Sequence, residues 1–182
     1  VVFFPFGLII SLLILFTSKG GVLYFQERIG KNAIPFKLMK FRTMKVNAEA
    51  FGQLTVGMRD PRITGIGYFL RKTKLDEFPQ FINVLIGQMS IVGPRPEVKK
   101  YVEMYSEDQK RVLTVKPGIT DYASIEYFRE NEILGNAKDP EKAYVQEIMP
   151  AKIALNMKYI ENPTLGQDVR IMWKTFMKII KR

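Results

Sequence analysis

The hydrophobic pattern divides the chain after Ser18. Residues 1–18 (VVFFPFGLIISLLILFTS) carry no charge, and as one helix they would extend about 27 Å, close to one hydrocarbon thickness. Pro5 removes a backbone donor inside this run and crowds the preceding turn, so a helix through it is expected to kink or break. Two readings stand: a plain membrane span or buried core helix that tolerates the kink, and a re-entrant helix that enters and leaves through one face. The basic start and small-residue cleavage site of a secretory signal are not visible. Because the chain opens on Val1, further residues are expected upstream.

Beyond the run the periods shorten. Val22 to Gln26 is β-branched and aromatic, Gly30 and Asn32 supply turn chemistry, and Pro35 to Met44 forms a second short run, which predicts a hairpin or two short strands. Residues 61–73 read as a loop entering a short helix that ends in basic residues. Leu75, Phe78, Ile82 and Leu85 keep helical spacing, with Gly87 as a stop. Glu97 to Tyr105 and Ser106 to Leu113 predict two further short helices, the second opened by a capping box of Ser106 and Gln109. Asp139-Pro140-Glu141 starts another. In the last segment Val169, Met172, Trp173, Phe176, Ile179 and Ile180 share one face, and Arg170, Lys174, Lys178 and Lys181 the other. That pattern fits a basic interfacial helix, or equally an amphipathic helix packed on the core with a solvated basic back. No internal repeat, low-complexity tract or linker interrupts the body.

A length of 182 residues suits one domain. The chain has neither cysteine nor histidine, which removes disulfides, thiolate and imidazole metal sites, cysteine nucleophiles and histidine-based triads. Any acid, base or nucleophile must be Asp, Glu, Lys, Tyr, Ser or Thr. The formal charge of +10 lies wholly beyond Ser18 and calls for a polyanionic partner: nucleic acid, anionic lipid or a phosphorylated small molecule. Helix-turn-helix, zinc and aromatic ribonucleoprotein signatures are missing, as are both nucleotide-binding glycine patterns. Nucleic acid is therefore not expected, and phosphate recognition by basic residues and metal remains.

Residues 73–80 (TKLDEFPQ) are the most informative stretch. Pro79 is tolerated only in a first turn, so the helix is expected to begin near Asp76, whose carboxylate would then lie at the positive end of the helix dipole and favour ionisation. Asp at a cap followed by Glu is also what any well-formed helix start shows. Adjacent carboxylates, Asp76 and Glu77, additionally suit magnesium, which needs one or two carboxylates plus substrate phosphates. Arg71, Lys72 and Lys74 crowd the approach. In Gly93-Pro94-Arg95-Pro96 two prolines hold one arginine in a rigid turn, preorganised for bidentate phosphate recognition. Lys40 and Arg42 alternate with apolar residues as on a strand with one basic face, and Lys116 in Lys116-Pro117-Gly118 sits on a further turn within reach of a phosphate. Each is equally readable as a solvated surface charge.

Taken in order, residues 25–30 (FQERIG), 40–44 (KFRTM), 60–64 (DPRIT), 70–80 (LRKTKLDEFPQ), 83–96 (NVLIGQMSIVGPRP) and 116–120 (KPGIT) closely resemble the bacterial sugar transferases, the monotopic phosphoglycosyl transferases that initiate glycoconjugate assembly. The resemblance implies an α+β protein: a proline-broken re-entrant membrane helix over residues 1–18, and over 19–182 a small, mainly helical domain with a short β-hairpin and interfacial amphipathic helices. It implies an enzyme of the cytoplasmic face of the bacterial inner membrane that moves a sugar 1-phosphate from a UDP-sugar to polyprenyl phosphate and releases UMP. By the same resemblance Asp76 is the nucleophile, Glu77 binds magnesium, and Lys40, Arg71 and Arg95 lie at the phosphate site. Arg42 and Lys116 are further substrate-binding candidates, membrane lipid is a partner, and a homodimer is left open. Many members continue the Gly-Ile-Thr motif with glycine and a small-residue, asparagine-rich stretch, where this chain has residues 121–132 (DYASIEYFRENE). The competing class is a non-catalytic membrane-anchored module whose basic face binds anionic lipid or acidic partners, and a weaker one is a tethered nucleic-acid-binding domain.

Overall fold

The computed structural model describes residues 3–52, 54–57 and 60–181. The expected hairpin forms from β1 (Leu23–Ile29) and β2 (Pro35–Phe41), antiparallel in register from Leu23 opposite Phe41 to Ile29 opposite Pro35. Asn32 and Ala33 take left-handed backbone angles in the turn between them. Phe36 and Leu38 point inward and are buried, so the period of two places Lys40 on that same inward face.

Ahead of the hairpin, α1 (Phe3–Thr17) is continuous, with Pro5 in its first described turn, where a missing N–H leaves no intrahelical bond unmade. Val1 and Val2, upstream of the break expected at Pro5, lie outside the described residues. Only a narrow seam of α1 is packed: Ile10 and Ile14, four residues apart, meet Phe41 and Leu70. Phe6, Ile9, Leu12, Leu13, Leu15 and Phe16 are exposed. Among the described residues no helix is long and apolar enough to cross a membrane.

The chain then enters α2 (Gly65–Thr73), capped by Thr64, whose hydroxyl accepts the Gly67 N–H. A Cβ on Gly67 would lie 2.1 Å from the Thr43 carbonyl oxygen, so glycine is what lets the helix touch the chain leaving the hairpin. The helix expected from Leu75 to Leu85 is instead a one-turn 3-10 helix, Leu75–Glu77, followed by α3 (Gln80–Leu85). Pro79 lacks the donor that would join them. Gly87, at φ 82°, ends α3 as expected. Fully buried Asn83 ties α3 to the hairpin, accepting the Met39 N–H and donating to the Lys37 carbonyl.

The next element, β3 (Ser90–Val92), leads to α4 (Lys99–Val102), shorter than the stretch read from Glu97 to Tyr105. Both capping-box bonds between Ser106 and Gln109 form, but the turn they open, Gln109–Thr114, is 3-10: the caps satisfy first-turn donors whichever pitch follows. The following strand, β4 (Gly118–Thr120), pairs in parallel with β3. The two glycine-proline turns close here: Gly93 donates to the Thr120 carbonyl and Gly118 to the Pro94 carbonyl, and a Cβ on Gly118 would come within 2.2 Å of the Gly93 nitrogen. Gly118→Ala is therefore expected to cost about 3 kcal/mol or more, because the obstacle is backbone and cannot rotate away, and thermal unfolding of the variant checks it.

Four helices follow: α5 (Tyr122–Glu126), α6 (Glu130–Asn136), α7 (Pro140–Ala143), which Asp139 caps as expected, and α8 (Met149–Glu161). A π-helical turn, Tyr144–Ile148, joins α7 to α8 directly ahead of Pro150, giving the ring room the regular pitch would deny. Val98, Tyr101, Val112, Leu134, Tyr144, Ile148, Met149 and Ile153 build an apolar core between α4, α6 and α8.

The last helix, α9 (Leu165–Ile180), has three sectors rather than two. A thin seam packs, with Ile171 fully buried and Thr175 partly so. The basic sector faces solvent as expected. The apolar sector does not face the core: Val169, Trp173, Phe176 and Ile180 are all exposed, Trp173 by 62%. Of the two readings of this helix, a core-packed apolar face is the one the structure corrects.

Candidate active site

Three backbone segments bring the chemistry together. From the hairpin, β2 delivers Lys40. At the end of α2, Lys74 adopts a left-handed conformation (φ 60°), which turns the chain so that the 3-10 helix after it carries Asp76 inward, 6% exposed, with Glu77 beside it. Beyond β3, the turn between Pro94 and Pro96 presents Arg95, whose guanidinium forks onto Glu77: Nη1 to Oε2 at 3.1 Å and Nη2 to Oε1 at 2.5 Å. The turn is braced from behind by half-buried Arg28, which donates to the Pro96 carbonyl and to Glu97, itself a partner of the Tyr144 hydroxyl.

Lys40, Arg71, Lys74, Asp76, Glu77 and Arg95 line one cavity of about 410 Å³. Its far wall is made by Thr120, Ser124, residues 127–132 and Lys152, and α9 contributes Thr175 and Ile179. The aromatic rings of Phe78 and Phe81 border it toward α3.

The expectation that Asp76 starts a helix and ionises in its dipole is corrected. Lys74 occupies the capping position, and Asp76 lies within the turn, where burial first and the Glu77 charge second raise its carboxyl above the ordinary aspartate range, against the pull of Lys40, Lys74 and Arg71. Glu77 goes the other way. Burial opposes its charge, but Arg95, Lys74 and Lys40, with the Arg95 hydrogen bonds, hold it well below the usual carboxylate range. Two adjacent carboxylates are thus driven apart in role: one is a permanent, fully paired anion. The other keeps a buried oxygen, Oδ1, with no hydrogen-bond partner among the described residues.

On the cationic side, Arg95 is raised by Glu77, while burial and the neighbouring Arg95 charge bring Lys40 down to about 7. Arg71 donates one bond to Thr55, and its buried Nη1 has no partner among the described residues. An unpaired donor nitrogen and an unpaired acceptor oxygen, buried on two residues that line one cavity, mark a place where a polar ligand completes the pairing.

No group of three or more acidic, histidine or cysteine side chains capable of holding a metal occurs among the described residues. A divalent ion here would rest on the carboxylates of Asp76 and Glu77, the latter through the second lone pairs of oxygens that already accept from Arg95. With four cationic side chains around it, such an ion fits when phosphate oxygens and water supply the rest of its coordination, which is the habit of magnesium.

Two expected residues lie elsewhere. Arg42 follows the end of β2 and donates to the Gly21 and Leu23 carbonyls, stacked on Tyr24, because the strand's alternation stops before it. Lys116 is exposed, its amine beside Gly87 rather than in the cavity, while its main chain packs on Gly93. Conversely, Lys74, Thr120, Ser124, Glu130, Lys152 and Thr175 line the site without having been singled out for it. Lys74 carried a signal as part of the basic run before Asp76, Thr120 as the end of the Gly-Ile-Thr motif, and Ser124 and Glu130 as members of the divergent stretch over residues 121–132.

The family model described as bacterial sugar transferase matches residues 1–182. The chain is 39% identical over 174 residues to the UDP-glucose:undecaprenyl-phosphate glucose-1-phosphate transferase of Escherichia coli K12, covering 93% of this chain and 35% of that protein. It is 35% identical over 181 residues to the UDP-N-acetylgalactosamine-undecaprenyl-phosphate N-acetylgalactosaminephosphotransferase of Aeromonas hydrophila, covering 98% and 40%. It is also 37% identical over 186 residues to the exopolysaccharide production protein PSS of Rhizobium leguminosarum bv. phaseoli, covering 98% and 87%. The chain thus spans little more than a third of the first two relatives and most of the third. With the family's pattern running from Val1 to Arg182 and its motifs converging on one cavity, the chain belongs to the bacterial sugar transferase family.

Proposed function

We propose that the chain transfers a sugar 1-phosphate from a UDP-sugar to a polyprenyl phosphate such as undecaprenyl phosphate, releasing UMP, through a covalent phosphosugar on Asp76. The observation that carries this reading is the unpartnered, buried Oδ1 of Asp76 in a cavity ringed by Lys40, Arg71, Lys74 and Arg95. An anion with no hydrogen bond to surrender loses little on forming a bond to phosphorus. In the first step Asp76 bonds to the sugar-bearing phosphorus, and the bond from that phosphorus to the bridging oxygen breaks, leaving its electron pair on UMP. In the second an oxygen of the lipid phosphate attacks the same phosphorus and Asp76 is freed.

The cations hold phosphate oxygens and balance the charge that builds on them. Glu77 keeps the Arg95 guanidinium oriented. Magnesium, held by Asp76 and Glu77, would supply charge neutralisation on the diphosphate. The exposed apolar sectors of α1 and α9 support seating on a lipid surface, and the proposed place is the cytoplasmic face of the bacterial inner membrane, where a soluble nucleotide sugar and a lipid phosphate meet. The test is UMP release from a panel of UDP-sugars in the presence of magnesium. Without acceptor it should stop at about one UMP per enzyme with phosphosugar mass on Asp76. An adduct on another side chain, or phosphorus passing directly from donor to acceptor, sinks the reading.

Lys40 yields a pH prediction. Free, it loses its proton near pH 7. A bound diphosphate favours the charged form and raises that value, so above pH 7 binding takes up a proton and affinity falls as pH rises. Calorimetry of UDP binding in buffers of different ionisation enthalpy should show the uptake at pH 8 and little at pH 6. Lys40→Arg should flatten the profile.

A further inference from the structure

Asp121 stands where the chain departs from the small-residue continuation of its Gly-Ile-Thr motif, and it is 1% exposed. Both of its oxygens are spent on main-chain donors. Oδ1 accepts the Ser124 N–H at 2.5 Å, an ordinary cap for α5, and Oδ2 accepts the Arg95 N–H at 3.1 Å, across 26 residues of sequence. The second bond is not needed by α5. Pro94 and Pro96 have no N–H, so the Arg95 N–H is the one main-chain donor of residues 94–96, and Asp121 takes it. On the other side of the same residue, the guanidinium forks onto Glu77, next to Asp76. A displacement of the Arg95 main chain would therefore be carried straight to the fork.

We propose that Asp121 is a positioning residue for the transfer, clamping the Arg95 main chain so that its guanidinium stays in register with Glu77 and with the donor phosphate. The proposal rests on the phosphoglycosyl transfer reading above. Asp121→Ser separates the two bonds, because serine caps a helix well but its single short hydroxyl cannot also reach Arg95. The serine variant should lose about 10- to 100-fold in kcat with KM changed less than about threefold, the signature of misplaced catalytic geometry. Its thermal midpoint should move by less than about 3 °C. Asp121→Ala, which also loses the cap, should show the same kcat loss and a lower midpoint.

A second readout needs no turnover: by NMR the Arg95 amide should exchange at least about tenfold faster in the serine variant than in the unaltered chain. Unchanged exchange overturns the clamp. Faster exchange with kcat within about twofold of the unaltered chain overturns the positioning role and leaves Asp121 a helix cap. Should the serine variant fail to fold, isosteric Asp121→Asn goes through the same two measurements under the same criteria. If the unaltered chain releases no UMP from any donor, it is the transfer reading that fails, and the exchange rate still decides whether the clamp exists.

Discussion

Asp76→Asn is expected to abolish UMP release, by at least about 10³-fold, while raising the thermal midpoint at pH 8 by roughly 2–5 °C. The two effects share one cause. The folded carboxyl titrates above its unfolded value of about 3.9, because burial and Glu77 disfavour the anion more than Lys40, Lys74 and Arg71 favour it. Between those two values the native state holds its proton more tightly than the unfolded state, so stability falls as pH rises through the window, and above both the full penalty stands. An amide of the same shape removes the penalty together with the nucleophile. The competing reading, in which Asp76 merely starts a helix on a non-catalytic membrane module, predicts little change in stability, because asparagine caps a helix about as well as aspartate. Paired melting curves and UMP assays separate the two, and a destabilised or active Asp76→Asn protein would end the catalytic assignment.

Arg95→Ala should be severe in both respects. Glu77 is 12% exposed at its side chain, and without the guanidinium it is a buried carboxylate facing only more distant cations. Stranding a buried charge costs about 3–5 kcal/mol, or roughly 10 °C in a chain of this size. Donor turnover should fall by about 10²-fold or more, since the same fork is assigned to the transferring phosphate. Glu77 is depressed in the intact pair, so the pair's contribution is complete above the ordinary glutamate value near 4.3 and is lost as pH falls through the folded one. The stability gap between the intact and variant proteins should therefore be widest at neutral pH and shrink in acid. Adding Glu77→Gln to Arg95→Ala should recover most of the midpoint and none of the activity. A double variant as unstable as the single one would show that the loss arises from the turn rather than from a stranded charge.

The exposed apolar sectors give the proposed membrane location a physical basis. Phe16 at the end of α1 and Trp173 on α9 expose 86% and 62% of their surfaces. Side chains of that size in water are costly, at about 25 cal/mol per Å² of apolar area. Packing on a lipid surface removes that cost without any helix having to cross the bilayer.

Local chemistry was legible in the chain wherever a short-range rule governs it. Alternation and turn residues predict the hairpin over β1 and β2. Asp139-Pro140 predicts a helix start, Ser106 with Gln109 a capping box, and Gly87 a stop, and each is formed by bonds between near neighbours. The motif order also pointed to the family, and with it to Lys40, Arg71, Asp76, Glu77 and Arg95 as one group. Misreadings arose where an outcome depended on distant partners. Lys40 and Arg42 share a strand parity, yet only the first faces the cavity, because the hairpin ends between them. On α9 the periodicity identifies an apolar side, but a period measures sidedness and not which side has a neighbour. The packed seam, centred on Ile171, is too narrow to stand out in the pattern.

The sequence by itself thus determined the hairpin, several helix starts and stops, the basic character of the body and the residue types available for chemistry, since these follow from propensity, capping and charge within a few positions along the chain. Only the tertiary structure decided that Glu77 is silenced by Arg95, that Asp76 is left with an open oxygen, and that Asp121 holds the turn between them. Those outcomes turn on burial and on bonds between segments far apart in the chain, and a carboxylate's character is fixed by what surrounds it in space rather than by what stands beside it in sequence.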